Sequence, residues 1–190
     1  MRLAERTQRM LDCDNVEAIQ SYLQVFAMRP LPNFDGRILK LCQHENWQVR
    51  RRAATAVAKN EHPEIREFAI NMLADPEYQE CAIEMLVANY EEGDEHAVLD
   101  IVVLPSDSCQ RHWMLMSLLK MIEGNPEAEC SRPAKLIYDE TPCSNCRHSA
   151  VKLLSERDLV PEQIHAECKF DVELDTRTFV GGPAWNELAN

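Results

Sequence analysis

The chain has 190 residues, 45% of them hydrophobic and 27% charged, with a formal net charge of −12. That length and apolar content support one domain with a substantial core and exclude an intrinsically disordered chain. The acidic balance excludes whole-surface binding to nucleic acid or anionic membrane, and no run approaches the ~18 apolar residues of a membrane-spanning helix.

The N-terminal stretch MRLAERTQRMLDCDNVEA is charged throughout and has no apolar signal-peptide core, so a cytoplasmic location is expected. Only five glycines occur, as suits helices joined by short turns. The eight cysteines are widely spaced within helical patterns. They read as buried free thiols of a reducing compartment rather than as a disulfide framework.

In chain order, Val16, Ile19 and Leu23 start an amphipathic pattern in VEAIQSYLQV. A short helical segment follows over 33–43, then a longer one over 49–58. The same alternation recurs as 63–74 then 78–87, 94–104 then 110–119, 126–138 then 146–155, and finally 161–169. Arg177 and Val180 fit the beginning of one more copy before Gly181-Gly182-Pro183 stops it. Turn and capping signals open several first segments: Asn33, His62-Pro63, Asp94, Asn125-Pro126 and Val160-Pro161.

The second segments align with one another. Arg50, Gln79, Arg111 and Arg147 share a slot, at spacings of 29, 32 and 36 residues. Three residues on stand Ala53, Ala82, Met114 and Ala150, and seven on stand Val57, Leu86, Leu118 and Leu154. These steps trace one apolar face of a helix. A helix–turn–helix unit of this kind cannot bury its face alone, so five or six copies stack into an α-solenoid.

With Val49-Arg50-x-x-Ala53, Cys146-Arg147-x-x-Ala150 and the Leu or Val seven after each Arg, the chain resembles the HEAT-repeat family, including its short bacterial-type repeats. The resemblance covers most of residues 12–180 and implies an all-α, right-handed α-α superhelix. A single domain over 1–180 with a tail at 181–190 is expected. It also implies that the first-slot Arg pairs with an Asp or Asn in a turn, for which Asn46, Asp75 and Asp107 are at hand. The motif is degenerate and specifies a fold rather than an activity.

In such stacks the second helices line the concave face. Positions pointing away from the core read Arg51, Arg52, Thr55 and Lys59 in one copy, then Glu80, Cys81, Glu84 and Ala88. The next copies supply His112, Trp113, Met116 and Lys120, then His148, Ser149, Lys152 and Glu156. The strip carries five Lys or Arg against three Glu, so the negative excess must lie elsewhere. Trp113 with Met116 is its sharpest feature, either a binding hot spot or, in a rotated repeat, core. The run YEEGDEH (90–96) is expected to form an exposed acidic corner that a basic partner could use.

Cys143-x-x-Cys146 and His165-x-x-Cys168 give a spacing close to a zinc site. Antiparallel succession of the helices would bring all four together. The repeat register reads the same residues as packing positions, and this is the favoured reading; a structural zinc is the alternative, and no other cofactor is expected.

Phosphate-loop, dinucleotide, Ser-His-Asp and paired zinc-His signatures are missing. Cys146 and His148, two apart on a helix, face different ways and make a poor nucleophile–base pair. The expected function is a non-enzymatic protein-binding solenoid, an adaptor or scaffold, or a stoichiometric inhibitor such as an immunity protein that blocks a toxin. A HEAT-like DNA glycosylase or lyase is the alternative, with nucleic acid disfavoured because the strip's positive excess is small.

Overall fold

The computed structural model describes residues 3–182, and all regular structure among them is helical. Only Gly181 and Gly182 of the expected 181–190 tail fall within the described residues. Helix α1 (Leu3–Leu11) is followed by α2 (Val16–Val25), and a 3-10 helix (Gly36–Gln43) by α3 (Trp47–Val57). Then come α4 (Pro63–Met72) with α5 (Gln79–Leu86), and α6 (Asp94–Ile101) with α7 (Ser108–Gly124). The last are α8 (Ser131–Glu140) with α9 (Ser144–Glu156), and α10 (Glu162–Cys168) with α11 (Leu174–Phe179). The described residues thus hold six helical pairs.

The second members form one continuous layer: α2 packs on α3, α3 on α5, α5 on α7, α7 on α9 and α9 on α11. This nearest-neighbour order defines a helical-repeat solenoid. Its core is built from the aligned apolar slots. Ala53, Ala82 and Ala150 are fully buried, as are Val57, Leu86 and Leu154. Alanine in the first of these slots lets neighbouring helices approach, while the larger residue seven positions later fills the space between them.

Side-chain caps set several starts. Asn15 accepts from the Ala18 N–H, Asn46 from those of Gln48 and Val49, and Asp107 from that of Gln110. Pro63 stands at the first turn of α4, where a missing N–H costs nothing. Gly181 adopts φ +65° just beyond α11, a left-handed geometry that favours glycine after a helix.

The first-slot residues do form a ladder, and Arg147 meets an Asp of a turn, Asp171, but Asn46, Asp75 and Asp107 do not serve in it. Arg50 donates to the carbonyls of His44 and Glu45 and reaches Glu77 at 3.1 Å. Arg111 donates to the Pro105 and Ser106 carbonyls and reaches Glu140, and Arg147 pairs with Asp171 at 3.1 Å. Gln79, in the same slot, donates to the Leu73 and Ile101 carbonyls and accepts from the Val103 N–H. Each residue thus secures a turn and leans on the following helical pair. Asn46 and Asp107 are occupied as helix caps instead, and Asp75 accepts from the Glu77 N–H.

A second ladder runs along the other end of the layer. Asn60 bonds both backbone groups of Leu31. Asn89 accepts from the His62 N–H and donates to the carbonyls of Asn60 and Met85. Asn125 donates to Val87 and Met121, and Arg157 to the Ala128 carbonyl. These bonds satisfy loop carbonyls that stacking would otherwise bury unpaired.

Other expectations need correction. The segment 126–138 is helical only from Ser131, because the Glu129 carboxylate accepts from the Ser131 and Arg132 N–H groups and starts α8 there. Helix α1, with Met10 and Thr7 buried, extends the stack beyond the expected repeats. The acidic corner is half internal: Asp94 pairs with Arg66 at 2.6 Å, and Glu95 accepts from the Tyr90 hydroxyl and the Glu129 N–H. Of the eight free cysteines five are buried, Cys13 and Cys143 are partly so, and Cys109 is exposed. No helix among the described residues is long and apolar enough to cross a membrane.

Candidate protein-binding face

The strip residues of the second-helix layer come from α3, α5, α7, α9 and the turns after them. Stacking α3 on α5 and α5 on α7 draws Arg51, Glu80 and Trp113 into one group. The Arg51 guanidinium carbon sits 3.3 Å from the centroid of the Trp113 ring, and Arg51 Nε lies 3.5 Å from Glu80 Oε1. His112 meets Trp113 edge-on at 5.1 Å between ring centroids. Trp113 is half-buried, neither core nor free. A guanidinium held over an indole by a carboxyl group is a preformed platform, worth about 0.5–2 kcal/mol for the stacking alone.

Glu84 lies one helical turn beyond Glu80, and only 5% of it is exposed. Lys120 Nζ sits 2.9 Å from its Oε1, and the Ser117 hydroxyl donates to its Oε2. Glu84 is therefore an anchor that ties α5 to α7, not an open contact residue. Burial lifts the Glu80 carboxyl to about 7; Arg51 opposes this, the Glu84 charge adds to it, and Lys120 and Arg50 oppose it further. Burial also lowers the Lys59 ammonium below its ordinary value, with Glu84 opposing and Lys120 adding.

The flanks are more open. Arg52 donates to the Gln20 carbonyl on α2, and Lys59 donates to the Thr55 carbonyl while remaining exposed. Met116 is partly buried against the core. His148 shares a 2.9 Å hydrogen bond with the Thr176 hydroxyl, and its ring lies near Phe179. Lys152 is exposed, 3.8 Å from Glu156. Beside the platform, a cavity of about 240 Å³ is lined by Trp47, Arg50, Glu77, Glu80 and Met114 among others.

The four residues of the alternative zinc reading, Cys143, Cys146, His165 and Cys168, do not assemble. His165 is exposed on α10, and the Cys168 thiol faces the Tyr138 hydroxyl at 3.8 Å. Cys143 and Cys146 do come together, but with His112 of α7. Burial pushes the Cys143 thiol up, yet the Cys146 backbone N–H and thiol, the Asn145 N–H and the Arg147 charge outweigh it and leave Cys143 below its ordinary value. Cys146 is pushed up to about 11 by burial and by its bond to and charge from Cys143. No local spacing signals His112 as a neighbour of these cysteines; only the contact of α7 with α9 does so.

Neither a family model nor a curated protein matches the chain. Among solved structures it is similar to a designed armadillo repeat protein, at 12% identity over 95% of this chain and 97% of that one, with a TM-score of 0.48. The class, a helical-repeat solenoid, rests on the stacking order of the helices themselves.

Proposed function

We propose that the chain is a non-enzymatic solenoid of HEAT type that binds another protein through the outward strip of its second-helix layer. The observation that supports this most is the Arg51–Trp113–Glu80 platform. It sets a large aromatic ring and a guanidinium, the side chains richest in interface binding energy, half-exposed at the junction of three repeats. Their mutual contacts fix both rotamers beforehand, which reduces the ordering cost of association. Lys59 and Lys152 are exposed elsewhere on the strip, Lys120 is paired with Glu84, and the exposed Glu91 and Glu92 lie on the acidic turn. A partner with an acidic rim around an apolar centre fits the strip. Within this reading the role is that of an adaptor or scaffold, or of a stoichiometric inhibitor that neutralises a toxin.

The test uses Trp113→Ala against the partner captured from cells of the source organism. The variant is expected to keep its far-ultraviolet circular dichroism and to bind at least about tenfold more weakly, as for an interface hot spot. Collapse of the helical signal would make Trp113 a core residue and remove the proposed surface. Undiminished binding by a folded variant would place the interface elsewhere.

A further inference from the structure

We propose that His112, Cys143 and Cys146 form a zinc-binding site that clamps the fourth helical pair to the fifth. The three ligand atoms all lie within 4.8 Å of one another, and Cys146 Sγ stands 3.8 Å from His112 Nδ1. In a tetrahedral zinc site, with bonds of about 2.3 Å to sulfur and 2.0–2.1 Å to nitrogen, such a pair lies about 3.6 Å apart. That pair therefore needs a contraction of tenths of an ångström, and the other two, within 4.8 Å, one of at most about an ångström, which side-chain rotation at one helix end supplies. Cys143 precedes the first turn of α9 and Cys146 lies within it, so the Cys-x-x-Cys spacing places both sulfurs at one helix end. His112 arrives from the first turn and a half of α7, the neighbouring helix of the same layer.

The nearest polar side chain is Thr141, whose hydroxyl bonds the Cys146 sulfur and accepts from the Cys143 N–H, a contact a thiolate ligand can keep. Arg147 is held by Asp171, and His148 is turned away to Thr176. Two thiolates and an imidazole are the donor set of a soft or borderline ion, which selects zinc over magnesium or calcium. His112 and Cys143 are partly exposed whereas Cys146 is buried, so an ion can reach the three ligands from solvent and would complete its shell with water. Binding releases the two thiol protons to solvent, and affinity falls as the pH is lowered.

The 190-residue chain, reduced and stripped with a chelator, is titrated with Zn²⁺ against a chromophoric competitor and separately with Co²⁺. One metal per chain is expected, with sulfur-to-cobalt charge-transfer absorption and a rise in Tm on Zn²⁺ addition. Cys143→Ser and His112→Gln should each weaken Zn²⁺ binding at least about tenfold, and serine at 143 is a favourable helix cap, so that variant should fold. His165→Ala and Cys168→Ala should leave Zn²⁺ affinity unchanged. No Zn²⁺ binding by the reduced chain would overturn the assignment. So would affinity that depends on His165 or Cys168 and not on His112.

Discussion

At the scale of single residues, Glu80 carries the clearest consequence. Its carboxyl titrates near 7 in the folded chain, above the ordinary value of 4.5, because burial opposes its charge. The folded state thus holds this proton more tightly than the unfolded one. The stability contributed is fully present below about pH 4.5 and is lost as the pH rises towards 7. Glu80→Gln cannot titrate. The stability of the variant relative to the parent should therefore climb across that window, by about 2 kcal/mol once partial solvent exposure is allowed for. Urea unfolding of both proteins at pH 5 and pH 8 checks this. A difference that stays constant with pH would show that Glu80 ionises normally. Asn89 makes a second point at this scale. Asn89→Ala would strip partners from the His62 N–H and the Asn60 and Met85 carbonyls, for an expected loss of about 1–3 kcal/mol in chemical denaturation. A loss below a few tenths would mean that water replaces the amide.

Single elements show which parts of the fold could be read from the chain. The faces of α3, α5, α7 and α9 were legible, because Ala53, Val57, Ala82, Leu86, Leu118, Ala150 and Leu154 recur at helical spacing and are all buried. The start of α8 was not, since its N-cap Cys130 makes no side-chain cap bond and the first N–H groups are met by Glu129, one residue earlier. The Asn60–Asn89–Asn125 ladder also escaped notice, because each amide sits after its helix, where no apolar period marks it. Of the candidate site, the outward positions were legible. The stacking of Arg51 on Trp113, the burial of Glu84 and the meeting of His112 with two cysteines were not. All three depend on how one helix lies against the next, which a periodic pattern within a helix does not encode. Helix α7 tests the packing argument. Leu118→Ala should cost about 2–5 kcal/mol, because Leu118 is 1% exposed between α5 and α9. A cost under 1 kcal/mol would mean that the layer closes over the cavity.

Across the whole molecule, stability in a stack of nearest neighbours is highest where a helix has packed partners on both sides. Helices α5 and α7 lie between neighbours of their own layer, whereas among the described residues α11 packs in that layer chiefly on α9. Hydrogen exchange followed by mass spectrometry should therefore find the slowest amides in α5 and α7 and faster exchange in α11. Uniform protection would contradict a modular stack. The central claim, that a protein partner binds the second-helix layer, calls for a probe that reports position. A photo-crosslinking amino acid is placed at Met116 on that layer and, in a second protein, at the exposed Ile70 on α4; both are irradiated in lysate of the source organism. Binding at the second-helix layer gives one partner captured from position 116, lost when Arg51→Ala is added, and not captured from position 70. Capture from position 70 alone, or capture from 116 that survives Arg51→Ala unchanged, would contradict it.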